Sequence, residues 1–340
     1  MAEYTFSDIV TFTHGKVLQQ VSDPEVDVIL TDSRKLVQPS STVFFTIHSA
    51  ARNANRFVDD VYQKGCRCFV VDSSFDMLPR FPEGNFIQVE NTLEALQLLV
   101  IAHRNKFRLP VIGITGSNGK TIVKEWLDQL LHNSFNIVKS PKSYNSQVGV
   151  PLSVWQLSQT HNLAIFEAGI STTGEMEALQ KVIQPTLGVV TSIGDAHAAG
   201  FSSVEEKVRE KLKLFVHSEM LVFCSDSFVL SEQVKDFLLP ANSSLKTFSW
   251  GKHGKPNLLI EAITRKENAT SIACRTEDEK FDLQIPFTDN ASIENAISCC
   301  AVLLCLNISP DEIKENFHHL RPVEMRLELK QGINNCSVIN

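Results

Sequence analysis

Residues 111–131 read VIGITGSNGKTIVKEWLDQLL. An apolar run, a glycine-rich turn and a helical pattern follow one another without a break. A strand, a turn and a helix closing on Gly119-Lys120-Thr121 is the order of a phosphate-binding loop. The spacing departs from the common G-x-x-x-x-G-K-[ST] form, which would put its first glycine at Ile114; here glycines stand at Gly113 and Gly116. In such a loop the backbone N–H groups of Ser117, Asn118, Gly119 and Lys120 are expected to grip phosphate oxygens. The helix N-terminus adds a favourable field for an anion. Lys120 supplies a cation for the outer phosphates, and the Thr121 hydroxyl is a natural Mg²⁺ ligand.

On either side of this stretch the chain alternates short apolar runs with helical patterns. Before it, VDVILTDSR, STVFFTI and CRCFVV read as strands, and NRFVDDVYQKG and TLEALQLLVIAHRNKF as helices. This predicts a small α/β domain over 1–108. After it, βα alternation runs through NLAIFEAG, GEMEALQKVI, TLGVVTSIG, VEEKVREKLKLF and EMLVFCSD, which predicts a doubly wound, mostly parallel sheet over 109–322. Between about Ser244 and Phe287 strands dominate and are read as an antiparallel extension of that sheet. An apolar helix over NASIENAISCCAVLLCLN then precedes SPDEIKENFHHL.

The bulk numbers narrow the function classes. The 340 residues are 43% hydrophobic and 21% charged, with net charge −7, so no basic surface argues for nucleic acid. The start, MAEYTFSDIVTF, lacks the cationic and apolar pattern of a signal peptide, and no run of about 18 apolar residues is present. Eight cysteines form no C-x-x-C pair and lie mostly in apolar runs, as buried free thiols of a reducing compartment would. A cytoplasmic protein is expected.

Six stretches together carry a family resemblance. They are GITGSNGKT, SYNSQVGVPLSVWQL, AIFEAGISTTGEMEAL, VVTSIGDAHAAGFSS, VREKLKLF and, near the amino end, LTDSRKLVQPSSTVFFTI. In this order and spacing they resemble the Mur ligase family, ATP-dependent amide ligases that build the peptidoglycan precursor. The resemblance covers essentially the whole chain. It is strongest to the branch that joins D-alanyl-D-alanine to a UDP-N-acetylmuramoyl-tripeptide, in the form fused to an alanine racemase. It implies a two-step reaction in which ATP phosphorylates a substrate carboxylate and an amine then displaces phosphate.

The resemblance also implies roles. Glu167, at the end of the strand LAIFE, would hold Mg²⁺ close to the phosphate loop, and His197 would hold a second Mg²⁺. On a helical wheel of about 100° per residue Val204, Val208, Leu212 and Phe215 form one apolar arc. Lys211 lies within it, Lys207 lies toward it and Lys213 lies opposite. The wheel alone does not choose between Lys207 and Lys211. Spacing from His197 matches Lys211 to the family's key lysine, which in related ligases is carbamylated by CO₂ and helps hold the second metal ion. Burial lowers a lysine pKa and so favours the neutral amine that carbamylation needs; a snorkelling lysine is the competing reading. Asn145 and Ser146 would face the substrate, where relatives often have two asparagines. Asn295 would contact the adenine side of ATP, although the histidine relatives carry slightly earlier is Ala291 here. Asp32, Ser33 and Arg34 would bind the uridine diphosphate group, against a reading of plain turn chemistry. The loop HSAARNANRF departs from the family's pattern at this point.

At its end, RLELKQGINNCSVIN, the chain resembles the beginning of the family's third, Rossmann-like domain, so 323–340 is expected to be hinge and domain start, with Arg326 at the hinge touching ATP. A chain holding two of three domains would bind nucleotides and ligate weakly or not at all. Two further readings stay open: the ligase that adds the third residue to the dipeptide precursor, and a P-loop kinase or regulatory nucleotide-binding module. The TDSR segment argues against a folylpolyglutamate synthase.

Overall fold

The structure is a computed structural model that describes residues 4–48, 53–194, 200–323, 329–331 and 337–339. His197 and Arg326 lie outside the described residues. The chain divides into two compact units, Met1–Arg108 with Val154–Gln156, and Leu109–Ser153 with Leu157–Asn340.

The first unit is built on a five-stranded sheet. Its strands are β1 (Lys16–Gln19), β2 (Val28–Leu30), β3 (Thr42–Phe45), β4 (Cys68–Asp72) and β5 (Asn85–Val89), in the order β1-β5-β4-β3-β2. Only β1 runs antiparallel to its neighbour. Three helices accompany it, α1 (Phe6–Thr13), α2 (Val58–Gln63) and α3 (Thr92–Arg104). Phe44, Phe69, Phe81 and Phe86 form the centre of its core, with the Phe69 and Phe86 rings stacked at 4.7 Å. Gly65, at φ +98°, closes α2 where the sequence places the helix end. Helix α1 and strands β1 and β5 are additions to the sequence reading.

The second unit holds the phosphate loop. Strand β6 (Val111–Thr115) enters it and helix α4 (Lys120–Leu131) leaves it. There follow β7 (Ile137–Lys139), α5 (Gly149–Val154), β8 (Leu163–Glu167), α6 (Glu175–Ile183), β9 (Leu187–Val190), α7 (Val204–Leu212) and β10 (Met220–Cys224). After α8 (Phe228–Gln233) come β11 (Lys246–Gly251), β12 (Leu258–Arg265), β13 (Thr270–Arg275), β14 (Lys280–Ile285), α9 (Asn290–Cys305) and α10 (Pro310–Phe317). These nine strands form one sheet, ordered β14-β13-β12-β11-β10-β9-β6-β8-β7, and Leu329–Gln331 and Ser337–Ile339 pair separately. The first seven in chain order pair in parallel; only β13 and β14 are antiparallel. The antiparallel extension therefore joins the main sheet as expected, but begins only with the β12–β13 pair, because β11 and β12 still pair in parallel.

Residue type explains these differences. Every residue of β6, β8 and β9 is buried, as continuous apolar strands covered on both faces must be. In β14 burial alternates, because one face meets solvent. Helix α9 is buried along most of its length and carries Cys299 and Cys300, whose thiols burial pushes far up. Seven of the eight cysteines fall among the described residues, all free. Trp126 on α4 has no exposed surface, stacks on Phe287 at 4.9 Å and donates its indole N–H to Arg321 O at 3.0 Å.

Strand β6 lies between β8 and β9, so successive strands leave it on opposite sides. The crevice outside the carboxyl ends of strands at such a reversal is where ligands bind in open α/β sheets. No helix among the described residues is long and apolar enough to cross a membrane.

Candidate functional site

Two glycines shape the loop after β6. Gly116 has φ +148°, and a Cβ built on it would lie 2.0 Å from Thr191 Oγ1. Gly119 has φ +83°, and a Cβ there would lie 2.3 Å from Asn295 Oδ1. Both backbone conformation and space exclude a side chain. The Thr191 hydroxyl sits 2.6 Å from Asn118 O and 3.2 Å from Thr115 O, fastening the loop to the end of β9. Ser117 donates its hydroxyl to Gly194 O at 3.1 Å.

The loop's donors differ in part from the sequence expectation. The N–H groups of Ser117 and Asn118 both point at Ser192 O, at 2.8 and 3.3 Å. They are turned to the neighbouring strand end rather than inward to a phosphate. The partner lies more than seventy residues away in the chain, so local spacing gives no sign of it. Helix α4 begins at Lys120, directly after the turn, and a helix N-terminus offers backbone N–H groups and a favourable field to an anion. Lys120 folds back over the turn, its ammonium donating to Gly116 O at 2.8 Å and Ser117 O at 3.2 Å.

Thr121 and Glu167, expected to share a metal ion, stand side by side. Thr121 donates its hydroxyl to Glu167 Oε2 at 2.9 Å, and Ser143 Oγ lies 3.3 Å from the same hydroxyl. Glu167 is fully buried at the carboxyl end of β8. Sequence reasoning missed the third member, Lys124, which is also fully buried with its ammonium 3.7 Å from Glu167 Oε1. A lysine one turn beyond Thr121 was the only available signal. A hydroxyl and a carboxylate adjoining a phosphate loop are hard oxygen donors, and a Mg²⁺ ion that keeps waters and takes phosphate oxygens needs few more from the protein. The residues fit the metal.

Lys211 and Lys207 both prove buried on α7, so the wheel's ambiguity reflects a real pair. Lys207 reaches Gly194 O. Lys211 reaches the phosphate loop itself, donating to Gly116 O at 3.2 Å. Burial pushes the Lys211 ammonium down to about 7, helped by the positive charges of Lys120 and Lys207. Lys213, on the opposite side, pairs with Glu177 at 2.8 Å and Glu210 at 2.9 Å.

Asn145 sits beside β8: its carbonyl accepts the Gly169 N–H at 2.8 Å, and its side chain packs against the Gly169 Cα. Ser146 accepts the Gly149 N–H at 3.1 Å, capping the start of α5. That bond gives the hydroxyl a local structural task. Asn295 is buried against Gly119 and lines a cavity of about 260 Å³ with Thr191, Ser192, Trp250, Glu294 and Ser298. The cavity therefore opens directly beside the phosphate loop.

In the first unit Asp32 caps the turn Ser33–Lys35, accepting the Arg34 N–H. The Arg34 guanidinium grips the same carboxylate through two bonds of 2.8 Å while its side chain stays largely exposed. The guanidinium holds the Asp32 carboxyl down to about 2. Ser33 is buried. Turn chemistry is thus present, and Arg34 is engaged by its neighbour.

Comparison with known proteins gives a consistent set. A model of the Mur ligase middle domain matches residues 114–303. The UDP-N-acetylmuramoyl-tripeptide–D-alanyl-D-alanine ligase of Bacillus subtilis is 26% identical over 345 residues, an alignment covering 100% of this chain and 72% of that protein. A crystal structure of MurF from Acinetobacter baumannii superposes with a TM-score of 0.85 at 24% identity, covering 97% of this chain and 71% of that one. MurF from Thermotoga maritima, solved in complex with ADP, superposes with a TM-score of 0.77 at 21% identity, covering 91% of this chain and 69% of its own. The two structural likenesses establish the α/β fold with its mostly parallel central sheet.

Proposed function

The chain belongs to the Mur ligase family, and we propose that it is an ATP-dependent amide ligase of peptidoglycan precursor synthesis. Its acceptor is a UDP-N-acetylmuramoyl-tripeptide and its amine D-alanyl-D-alanine. The observation that carries this reading is the convergence of three devices at the carboxyl ends of adjacent parallel strands. They are the Lys120 loop, the buried Thr121–Glu167 pair and the Lys211 amine with its pKa near 7. The similarity to ligases named for this reaction supports the choice of substrates.

In the first step a substrate carboxylate oxygen attacks the γ-phosphorus of ATP, giving an acyl phosphate and ADP. In the second the amine attacks the acyl carbon and phosphate leaves. The difficulty is bringing one anion to another. Lys120 exchanges its two loop carbonyls for phosphate oxygens, and the first turn of α4 presents its N–H groups to the same charge. Thr121 and Glu167 would hold Mg²⁺, which when bound would neutralise the charge on the phosphates. Lys211 is about half neutral near pH 7, as an amine must be to combine with CO₂. As a carbamate it would join His197 at a second Mg²⁺. The nucleoside end of ATP would occupy the cavity beside Asn295, and Arg326, which lies outside the described residues, would contribute a further ATP contact. Asn145 and Ser146 meet the acceptor peptide, while Asp32, Ser33 and Arg34 meet its uridine diphosphate.

We assign residues 1–108 to the uridine nucleotide, 109–322 to ATP and 323–340 to the hinge of a third domain. We place the reaction in the cytoplasm and the chain in the branch fused to an alanine racemase. Calorimetric titration with UDP-N-acetylmuramoyl-tripeptide and with the corresponding dipeptide tests the acceptor assignment. Tighter binding of the tripeptide is expected. Preference for the dipeptide moves the assignment to the ligase adding the third residue. Binding of ATP without either uridine nucleotide favours the kinase-like module.

A further inference from the structure

Lys124 has no role in the chemistry above, and its surroundings are unusual. Its ammonium has no exposed surface, yet it lies among charged groups. It donates to Ser140 O at 2.6 Å and to Lys142 O, and lies 3.1 Å from Glu125 Oε1 and 3.7 Å from Glu167 Oε1. A buried ammonium is tolerated only when its donors and its charge are both answered. Two carbonyls and a carboxylate take the donors. Lys139 also pairs with Glu125 and with Asp128, the latter at 2.6 Å. Glu125 is thus shared by Lys124 and Lys139, and Lys124 bridges it to Glu167.

The two Glu167 oxygens are differently placed. Oε2 faces the Thr121 hydroxyl at 2.9 Å, on the side of the phosphate loop, while Oε1 faces Lys124. A cation beside Thr121 meets Oε2; reaching Oε1 as well means approaching a buried ammonium. Mg²⁺ takes six ligands in tight octahedral geometry and is content with one carboxylate oxygen. Ca²⁺ takes six to eight and readily uses both oxygens of one carboxylate.

We propose that Lys124 is a positioning residue that restricts Glu167 to one-oxygen coordination and thereby makes the site prefer Mg²⁺ to Ca²⁺. This rests on the Mg²⁺ assignment to Thr121 and Glu167. Lys124 acts through Glu167 and touches neither nucleotide nor acceptor.

The test is calorimetric titration of Mg·ADP and Ca·ADP into the wild-type chain, Lys124→Met and Lys124→Gln, with a thermal melt of each. The wild type should bind Mg·ADP more tightly. Both variants should lose about tenfold of that preference, mainly by gaining Ca·ADP affinity, with cooperative melts. A purely structural lysine would weaken both complexes equally and leave their ratio unchanged, which overturns the proposal. Lys124→Gln keeps an amide donor near the Ser140 carbonyl and decides the matter where Lys124→Met does not fold. A wild type with no preference between the two cations also overturns it. A wild type that binds neither complex instead removes the nucleotide-site reading beneath it.

Discussion

Lys211→Met isolates the cost of burying an ammonium beside the phosphate loop. In the unfolded chain Lys211 titrates near 10.5, and in the folded protein near 7. Between these values the unfolded chain holds a proton that the folded one has lost, so wild-type stability climbs as pH rises. At about 1.36 kcal/mol per pH unit the interval amounts to about 5 kcal/mol, an upper bound for the penalty present in full below pH 7. The penalty vanishes above about pH 10.5. Methionine is close in length and carries no charge, so it escapes the penalty while giving up the 3.2 Å bond to Gly116 O. Urea unfolding of the two proteins side by side cancels the titrations they share. Lys211→Met should be the more stable at pH 7, and its advantage should shrink by about 2 kcal/mol by pH 9, since the folded amine is already half deprotonated at pH 7. A difference independent of pH across that range would refute the reasoning, because the amine would then carry the same charge folded and unfolded.

Gly116→Ala sets a methyl group against Thr191 Oγ1 at a backbone angle alanine rarely adopts, so it should abolish ADP binding measured by calorimetry; retained affinity would show that the loop has room to shift. Arg34→Ala should leave the melting temperature unchanged, since the side chain is exposed, while weakening the uridine nucleotide in the same kind of titration; equal affinity would return Asp32 and Arg34 to turn chemistry alone.

Much of the second unit is legible because its strands are buried on both faces and read as unbroken apolar runs next to glycine turns. Strands β1 and β7 escape that reading, being three or four residues long and partly exposed. Helix α1 had a signal in Thr5 and Asp8, which cap each other's backbone N–H groups across the first turn. In the site, spacing leads to Lys211, whereas the apolar arc also admits Lys207, and in the structure the carbonyl each one meets tells them apart. Lys124 is harder. A lysine between Val123 and Trp126 reads as a stem lying over the core. Its burial depends on carbonyls of residues 140 and 142, brought near by β7, which no local pattern reveals. The Ser192 carbonyl that takes two loop N–H groups is hidden for the same reason.

The carbonyl of Gly116 accepts two ammonium groups, from Lys120 and from Lys211. A nucleotide that draws Lys120 away leaves that oxygen to Lys211 and answers the positive charge that had been lowering its proton affinity. Anion binding at the loop and proton binding at Lys211 are then thermodynamically linked, and linkage is reciprocal. Nucleotide binding near pH 7 should take up a fraction of a proton from solution, and binding heats should vary with the ionisation enthalpy of the buffer. Whatever holds Lys211 in its neutral form should, to the same degree, loosen the nucleotide.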